Sequence, residues 1–170
     1  SSPTEHPNFS DYIQSKAKMF GQTKRLIINR ETKQANYLFE RAKEAECYYS
    51  FSLNSSKADY YVKNLEALDL ESHFNIHSKS IDEAFVLKML GDYNVENALA
   101  AVAAVDVLGI PIEAAKTALK DIHVPGRMRL VSSADQKIIA IADFAHNRLS
   151  FERLITGMKE AHPDYKVVSI

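Results

Sequence analysis

The chain has 170 residues, of which 46% are hydrophobic and 25% charged, and its formal net charge is −1 at pH 7. This balance excludes the basic surface of a nucleic-acid-binding or membrane-surface protein. The single cysteine, Cys47, excludes an internal disulfide and a cysteine-based zinc site. No apolar run reaches the ~18 residues that a membrane-spanning helix needs. We therefore expect a cytoplasmic protein with neither nucleic-acid nor membrane partners.

The first half of the sequence alternates helical and strand patterns. Helices are indicated by apolar residues at helical spacing, and strands by short apolar runs or by alternation of polar and apolar residues. The predicted order is helix, strand, helix, strand, meandering hairpin and strand, over 9–20, 26–28, 33–43, 47–51, 59–78 and 83–90. This alternation is typical of an α/β fold.

The second half begins with two helices and then changes its pattern. Residues 94–108 are apolar almost all round, which predicts a buried helix, and Gly109 and Pro111 separate it from a helix over 112–120. Strand, strand, helix and strand follow, over 129–132, 137–142, 149–161 and 165–170. The last three form a parallel crossover unit, so we expect two domains, 1–124 and 125–170. The residues at both ends resemble the interior of a longer sequence, so we expect the chain to be a fragment of a larger protein.

A lysine lies among the apolar residues of the first helix. On a helical wheel Lys16 shares the apolar face, and Lys18 lies on the opposite side. The apolar residues of this face are Phe9, Ile13, Ala17 and Phe20. A buried lysine has a lowered pKa, and a neutral amine can add carbon dioxide to become a carbamate, which is an anionic ligand for Mg²⁺. A lysine stem that runs along the apolar surface to water is an equal alternative.

Two asparagines three residues apart open the buried helix. Asn94 and Asn97 share one face of its first turns, and an asparagine amide can pair with the N6/N7 edge of adenine. From residue type alone, Asn94 is better explained as the N-cap of the helix. No capping role explains Asn97, which is therefore the candidate for a base contact.

Polar residues follow the strand over 137–142, where open α/β sheets bind ligands. A carboxylate such as Asp143 can accept both ribose hydroxyls, and Phe144 beside it can cover a base. Arg127 lies at the expected domain joint, where a guanidinium can bind phosphate in a bidentate manner. Taken singly, Arg127 is better explained as a surface residue beside a turn, and packing at a helix start is the alternative for His146.

Together these motifs resemble the Mur ligase family, ATP-dependent enzymes that add amino acids to the bacterial cell-wall precursor. The resemblance rests on Gly91-x-x-Asn94-x-x-Asn97 before an alanine-rich helix and Leu-Gly-Ile-Pro, on Pro125-Gly-Arg-Met, on Asp143-Phe-Ala-His, and on the helix around Lys16. It implies an α/β fold, with part of the central ATP-binding domain followed by the beginning of a Rossmann-like C-terminal domain. Phe144 stands where the family has tyrosine. Within the family, the last motifs are most like those of ligases that add the third peptide residue.

The resemblance also implies a role for each candidate residue. Catalytic roles would fall to Lys16, Arg127 and His146; nucleotide contacts to Asn94, Asn97, Arg127, Asp143 and Phe144; and Mg²⁺ binding to Lys16, as a carbamate, and His6. The interval from His6 to Lys16 is shorter than in typical members, and a solvated histidine near the terminus is the alternative for His6.

The activity implied is amide-bond formation with ATP and Mg²⁺ as cofactors. A carboxylate of a UDP-N-acetylmuramyl-peptide would be phosphorylated, and the amine of an amino acid would attack the acyl phosphate, a step in peptidoglycan synthesis by a monomeric enzyme. The printed sequence contains no Gly-x-x-x-x-Gly-Lys-Ser/Thr loop for the ATP phosphates. We therefore expect this chain by itself to be inactive.

Two alternatives share parts of this pattern. Folylpolyglutamate synthase has the same architecture and acyl-phosphate chemistry, but its signature around the domain joint fits less well. A non-catalytic, Mur-like nucleotide-binding subunit would carry a four-cysteine zinc insertion and lack the Asp-Tyr-Ala-His motif. The single Cys47 and the residues from Asp143 onward argue against that subunit.

Overall fold

The structure, a computed structural model, describes residues 6–68, 71–125, 129–135, 137–145 and 148–169. The helices are α1 (Phe9–Ala17), α2 (Ala35–Ala42), α3 (Asp92–Val107), α4 (Ile112–Asp121) and α5 (Arg148–Ala161). The strands are β1 (Arg25–Asn29), β2 (Cys47–Ser52), β3 (Tyr60–Leu68), β4 (Glu71–His77), β5 (Asp82–Leu87), β6 (Arg129–Ser132) and β7 (Ile139–Ala142). Within these ranges, none of the helices combines the length and apolar character needed to cross a bilayer.

Five strands form one mixed sheet in the order β1-β2-β3-β4-β5. β1 and β2 are parallel, with Asn29 opposite Phe51, and β3 starts beside the end of β2, with Phe51 opposite Tyr60. β3 and β4 are antiparallel, which confirms the predicted hairpin, and β5 extends the meander as the antiparallel neighbour of β4. The carboxyl ends of β1 and β2 therefore lie at the same edge of the sheet, where α/β folds usually bind ligands.

α3 is the central element of the larger core. Its side chains Val95, Leu99 and Val102 are fully buried in one cluster with Phe74 and Leu87 of the sheet. Burying a large aliphatic side chain such as Leu99 contributes about 1.5–3 kcal/mol. The helix is apolar almost all round because it packs on the sheet and on α4, and the predicted buried helix is confirmed.

A second cluster covers the other face of β1. Leu26 and Ile28 point into it, together with Ala17, Phe20 and Ala42 from the segments around α1 and α2. Ile27, between them in sequence, packs instead against the larger core, as the two-residue period of a strand requires. β1 therefore lies between two helical layers, which confirms the α/β fold class.

The segment after Pro125 forms a separate two-stranded sheet and a helix. β6 and β7 are antiparallel, with Ser132 opposite Ile139. α5 returns to the larger core, where Met158 is buried, and a Cβ added to Gly157 would lie 3.9 Å from the Cα of Gly91. The start of α3 is therefore in contact with α5.

The predicted strand over 165–170 is wrong for residues 165–169, which form no strand. An extended segment becomes a strand when a neighbour satisfies its backbone groups, and β7 pairs with β6 alone among the described residues. Val168 is also 71% exposed, so the segment gains no burial that would hold it in place. The parallel crossover unit expected from the sequence is therefore incomplete.

Candidate functional site

A cleft of about 330 Å³ opens beside the first turns of α3. We call it the α3 cleft. Most of its lining is apolar and comes from β5, α3, α4 and the loops beside them: Leu87, Met89, Ala98, Ala101, Leu119, Ile122 and Val124. Its polar lining comes from Tyr93, Asn94 and Asn97. An apolar cleft of this size with a few convergent polar groups is typical of a small-molecule site.

Gly91 sets the geometry at the start of α3. Its φ is +96°, a value that residues with a side chain rarely adopt. A Cβ added there would lie only 2.9 Å from Cε1 of Tyr93, because the tyrosine ring folds back over this glycine. The Gly91 carbonyl accepts the backbone N–H of Asn94 at 2.9 Å and so begins the helix. Glycine is therefore required for the tight entry into the helix.

Asn94 is not the N-cap that residue type suggested. The helix begins at Asp92 with Gly91 as its N-cap, which places Asn94 inside the first turn. Its side chain is 7% exposed, and its Nδ2 donates to the carbonyl of Leu90 at 2.7 Å. Asn94 therefore fixes the loop before α3, and it also forms part of the cleft wall.

Asn97 lies on the same side of α3, one turn after Tyr93 and Asn94. Its side chain is exposed and lines the α3 cleft. The structure thus brings together the two asparagines that the sequence singled out. Their surroundings differ, because the Asn94 amide is buried against the backbone and the Asn97 amide reaches the opening of the cleft.

Asp143 and Phe144 follow β7 and do not line the α3 cleft. In β7 the more buried side chains are Ile139 and Ile141, and Ile141 packs against the larger core. Asp143 continues this two-residue period and is half-buried, whereas Phe144 is 63% exposed. The carboxylate therefore lies on the core side of the small sheet. Arg127 and His146 lie outside the described residues.

Lys16 is exposed, so the burial inferred from the helical wheel is wrong. The apolar face of α1 is covered towards its C-terminal end, where Ala17 is buried, and open at its start, where Phe9 is 54% exposed. The Lys16 ammonium lies 5.6 Å from the centroid of the Tyr12 ring, in a cation–π contact.

His6, the second predicted metal ligand, contacts two residues of α1. Its Nδ1 is 2.8 Å from Oδ2 of Asp11, and its ring meets that of Tyr12 edge to face, with centroids 5.4 Å apart. A histidine held by a carboxylate at one nitrogen commonly presents the other nitrogen to a metal. In the described part of the chain, however, no group of three or more His, Cys, Asp or Glu side chains could hold a metal ion.

A polar network that we did not anticipate lies at the carboxyl ends of β1 and β2. Nδ2 of Asn29 donates to Oε1 of Glu96 at 2.6 Å. One carboxylate oxygen of Glu31 accepts the hydroxyl of Ser52 at 2.6 Å and the backbone N–H of Asn54 at 2.8 Å. The signal available in the sequence was the position of these polar residues directly after two short apolar strands. Their pairing partners lie too far away in sequence to be predicted.

The other end of α3 is held by a buried tyrosine. The hydroxyl of Tyr60 donates to Oδ2 of Asp106 at 2.7 Å, and the hydroxyl of Ser80 donates to the same oxygen at 2.5 Å. Burial, together with the hydrogen bond to Asp106, raises the pKa of Tyr60 well above its usual range. This end of the helix is fixed to β3 and to the turn between β4 and β5.

Comparison with known proteins places these features in a family. Residues 4–105 match the Mur ligase middle domain. A UDP-N-acetylmuramyl-tripeptide synthetase of Lactococcus lactis subsp. cremoris (strain MG1363) is 32% identical over 160 residues, which cover 94% of this chain and 32% of that protein. This chain therefore spans about a third of the length of that relative.

Solved structures have the same fold. A UDP-N-acetylmuramoyl-L-alanyl-D-glutamate–2,6-diaminopimelate ligase superimposes with a TM-score of 0.75 at 25% identity, over 89% of this chain and 32% of that one. A folylpolyglutamate synthetase from Lactobacillus casei gives a TM-score of 0.71 at 18% identity, over 88% of this chain and 39% of that one. The match to the middle domain covers more than half of the present sequence. The chain belongs to the Mur ligase family.

Proposed function

We propose that the complete protein is an ATP-dependent ligase that joins an amino acid to a UDP-N-acetylmuramyl-peptide in peptidoglycan synthesis. In this proposal the present chain supplies the part of the nucleotide site that binds adenine and ribose. One observation carries the proposal: the two asparagines that resemble the adenine-binding motif of the family line one apolar cleft. The relative of 32% identity is named for this type of synthesis.

The α3 cleft suits a purine base. Its apolar walls, which include Leu87, Met89 and Leu119, would cover the faces of a planar ring. The exposed amide of Asn97 offers one donor and one acceptor side by side, which complements the N6/N7 edge of adenine. The amide nitrogen of Asn94 is already bonded to Leu90, so its role would be to hold the wall of the cleft.

The ribose and phosphates would lie towards the second domain, beginning at residue 125. Asp143, on the core side of the small sheet, is the candidate acceptor for the ribose hydroxyls, with Phe144 beside it. We assign Arg127 and His146 to the phosphates on the strength of the family motifs. The γ-phosphoryl group of ATP would be transferred to the substrate carboxylate with release of ADP, and an amine would then attack the acyl carbon, form the amide and release inorganic phosphate.

Magnesium is the second cofactor that we propose. Mg²⁺ is commonly held by one or two protein ligands together with phosphate oxygens, so a three-residue cage is not needed. Lys16, as a carbamate, and His6, oriented by Asp11, would be the protein's contribution. Both side chains contact the ring of Tyr12, which supports a shared role.

The lysine assignment can be tested by substitution in the complete protein. We expect Lys16→Ala to lower kcat by at least about a hundredfold, since it removes an anionic metal ligand, with little loss of stability because the side chain is exposed. Short carboxylic acids added to the assay should restore part of the activity. Lys18→Ala, also exposed on α1's C-cap, is the control. Equal activity in the two variants would exclude the carbamate.

The proposed reaction can be tested in the complete protein as ATP-dependent amide formation on a UDP-N-acetylmuramyl-peptide. Asn97→Ala should raise the KM for ATP by about five- to tenfold, the usual effect of losing a neutral hydrogen-bonded pair. Asn75→Ala is the matched control, because Asn75 lies on the face of β4 that points away from the core. Absence of amide formation in the wild type would refute the function, and equal KM values in the two variants would refute the base site.

Folylpolyglutamate synthesis is the second candidate function. Its support is the common fold at 18% identity. The proposed synthesis of a UDP-N-acetylmuramyl-peptide is supported by a relative of 32% identity. Replacing the UDP-N-acetylmuramyl-peptide by a folate in the same assay separates the two.

A further inference from the structure

Asn29, the last residue of β1, has its side-chain amide engaged at both ends. Its Oδ1 accepts the backbone N–H of Glu31 at 2.7 Å. This bond requires an oxygen at that position, so the nitrogen must face the other way. There, Nδ2 donates to Oε1 of Glu96 at 2.6 Å. The orientation of the amide is therefore set by the network around it.

The carboxylate that Asn29 binds lies directly beside the proposed base contact. Glu96 is in the second turn of α3, between Asn94 and Asn97 in sequence, and is half-buried. On the strand side, Glu31 is held by Ser52, which is fully buried. A continuous set of hydrogen bonds thus runs from the end of β2, through the end of β1, to the start of α3.

We propose that Asn29 is a positioning residue for the α3 cleft: through Glu96 it fixes the rotation of α3 that directs Asn97 into the cleft. The inference rests on the proposed function, because it assumes that Asn97 binds the base. Recognition by two hydrogen bonds tolerates displacements of only about 0.5 Å. Without the bond from Asn29, this end of the helix would be held by the packing of Val95 and by the loop contact of Asn94 with Leu90, which would leave the Asn97 amide less well placed.

The test exchanges donor and acceptor across the Asn29–Glu96 pair in the complete protein. Asn29→Asp places two carboxylates together and should raise the KM for ATP and the Kd for ADP by about tenfold or more. Glu96→Gln alone should have little effect, since its amide oxygen still accepts from Asn29. The double variant, Asn29→Asp with Glu96→Gln, restores the bond with its polarity reversed and should return both constants to within about threefold of the wild type.

Which kinetic constants change in Asn29→Asp distinguishes a positioning role from a purely structural one. Positioning predicts that kcat and the KM for the amino acid change by less than about threefold while the KM for ATP rises. Asn75→Asp, on the outward face of β4, controls for the new charge. If Asn29→Asp does not fold, Glu96→Leu removes the same acceptor and carries the same expectation.

Two results would overturn the inference: unchanged nucleotide constants in the folded single variant, or a double variant no better than Asn29→Asp. Measuring ADP binding by calorimetry separates this inference from the proposed reaction. A wild type that binds ADP but forms no amide, with the same rescue pattern in Kd, would leave the positioning role intact and refute the reaction. A wild type that binds no nucleotide would refute both.

Discussion

The two ends of α3 have different surroundings. At its C-terminal end, Asp106 binds the buried hydroxyl of Tyr60, and the backbone N–H groups of Gly109 and Ile110 donate to Asp106 and Val105. This is a Schellman arrangement with glycine at the left-handed position. At its N-terminal end there is no side-chain cap, the entry depends on Gly91, and the exposed Asn97 borders a cleft.

The difference suggests a division of roles along one helix. The C-terminal end is closed by polar groups that satisfy one another, so substitutions there should affect stability alone. The N-terminal end keeps an amide directed at open space, and its stabilising bonds come from Leu90 and Asn29 on neighbouring segments. Substitutions there should affect both stability and nucleotide binding. The predictions below test how each end is held and whether the two ends are coupled.

The largest effect is expected at the N-terminal glycine. Gly91→Ala must place a Cβ near the Tyr93 ring at a backbone conformation suited to glycine, and should lower the free energy of unfolding by about 3 kcal/mol. Gly109→Ala, at the other end, has a φ of +73° and no atom within 4 Å of the added Cβ, so we expect a loss of about 1 kcal/mol. Urea denaturation of both variants measures the difference. A larger loss for Gly109→Ala would contradict the contrast.

An intermediate effect is expected at the buried tyrosine. Tyr60→Phe removes the hydroxyl that binds Asp106 and should lower the free energy of unfolding by about 1.5 kcal/mol, without changing the KM for ATP in the complete protein. Tyr61→Phe, at the neighbouring position of β3 where the side chain is half-buried, is the control and should be nearly neutral. A changed KM in Tyr60→Phe would show that the two ends are coupled.

The smallest effect concerns pH. The pKa of Tyr60 is raised by burial and by its bond to Asp106, so the folded protein retains this proton when the unfolded chain loses it. The stability that the tyrosine confers is complete below the unfolded pKa of about 10 and decreases as the pH rises above it. The wild type should therefore lose about 1 kcal/mol relative to Tyr60→Phe over one pH unit above that value. Parallel urea titrations of the two proteins would show no such divergence if Tyr60 titrated normally.

Much of the fold could be predicted because it is encoded over short distances. The apolar character of α3, the break at Gly109 and Pro111, and the alternation through β3 and β4 are properties of neighbouring residues. The structure differs where a partner decides the outcome. Residues 165–169 have the composition of a strand but no strand beside them in the described part of the chain. Lys16 has the spacing of the apolar face of α1, yet its own side chain is exposed.

For the candidate site, the sequence by itself determined the family motifs and the two asparagines at the start of α3, since residue type and spacing suffice for these. Only the tertiary structure decided that Asn94 binds Leu90 rather than capping the helix. It alone brought Asn29 to Glu96, 67 positions away. The physical reason is that capping and periodicity depend on backbone geometry within a few residues. A hydrogen bond between distant side chains depends instead on how the sheet and the helix pack, and no local pattern specifies that packing.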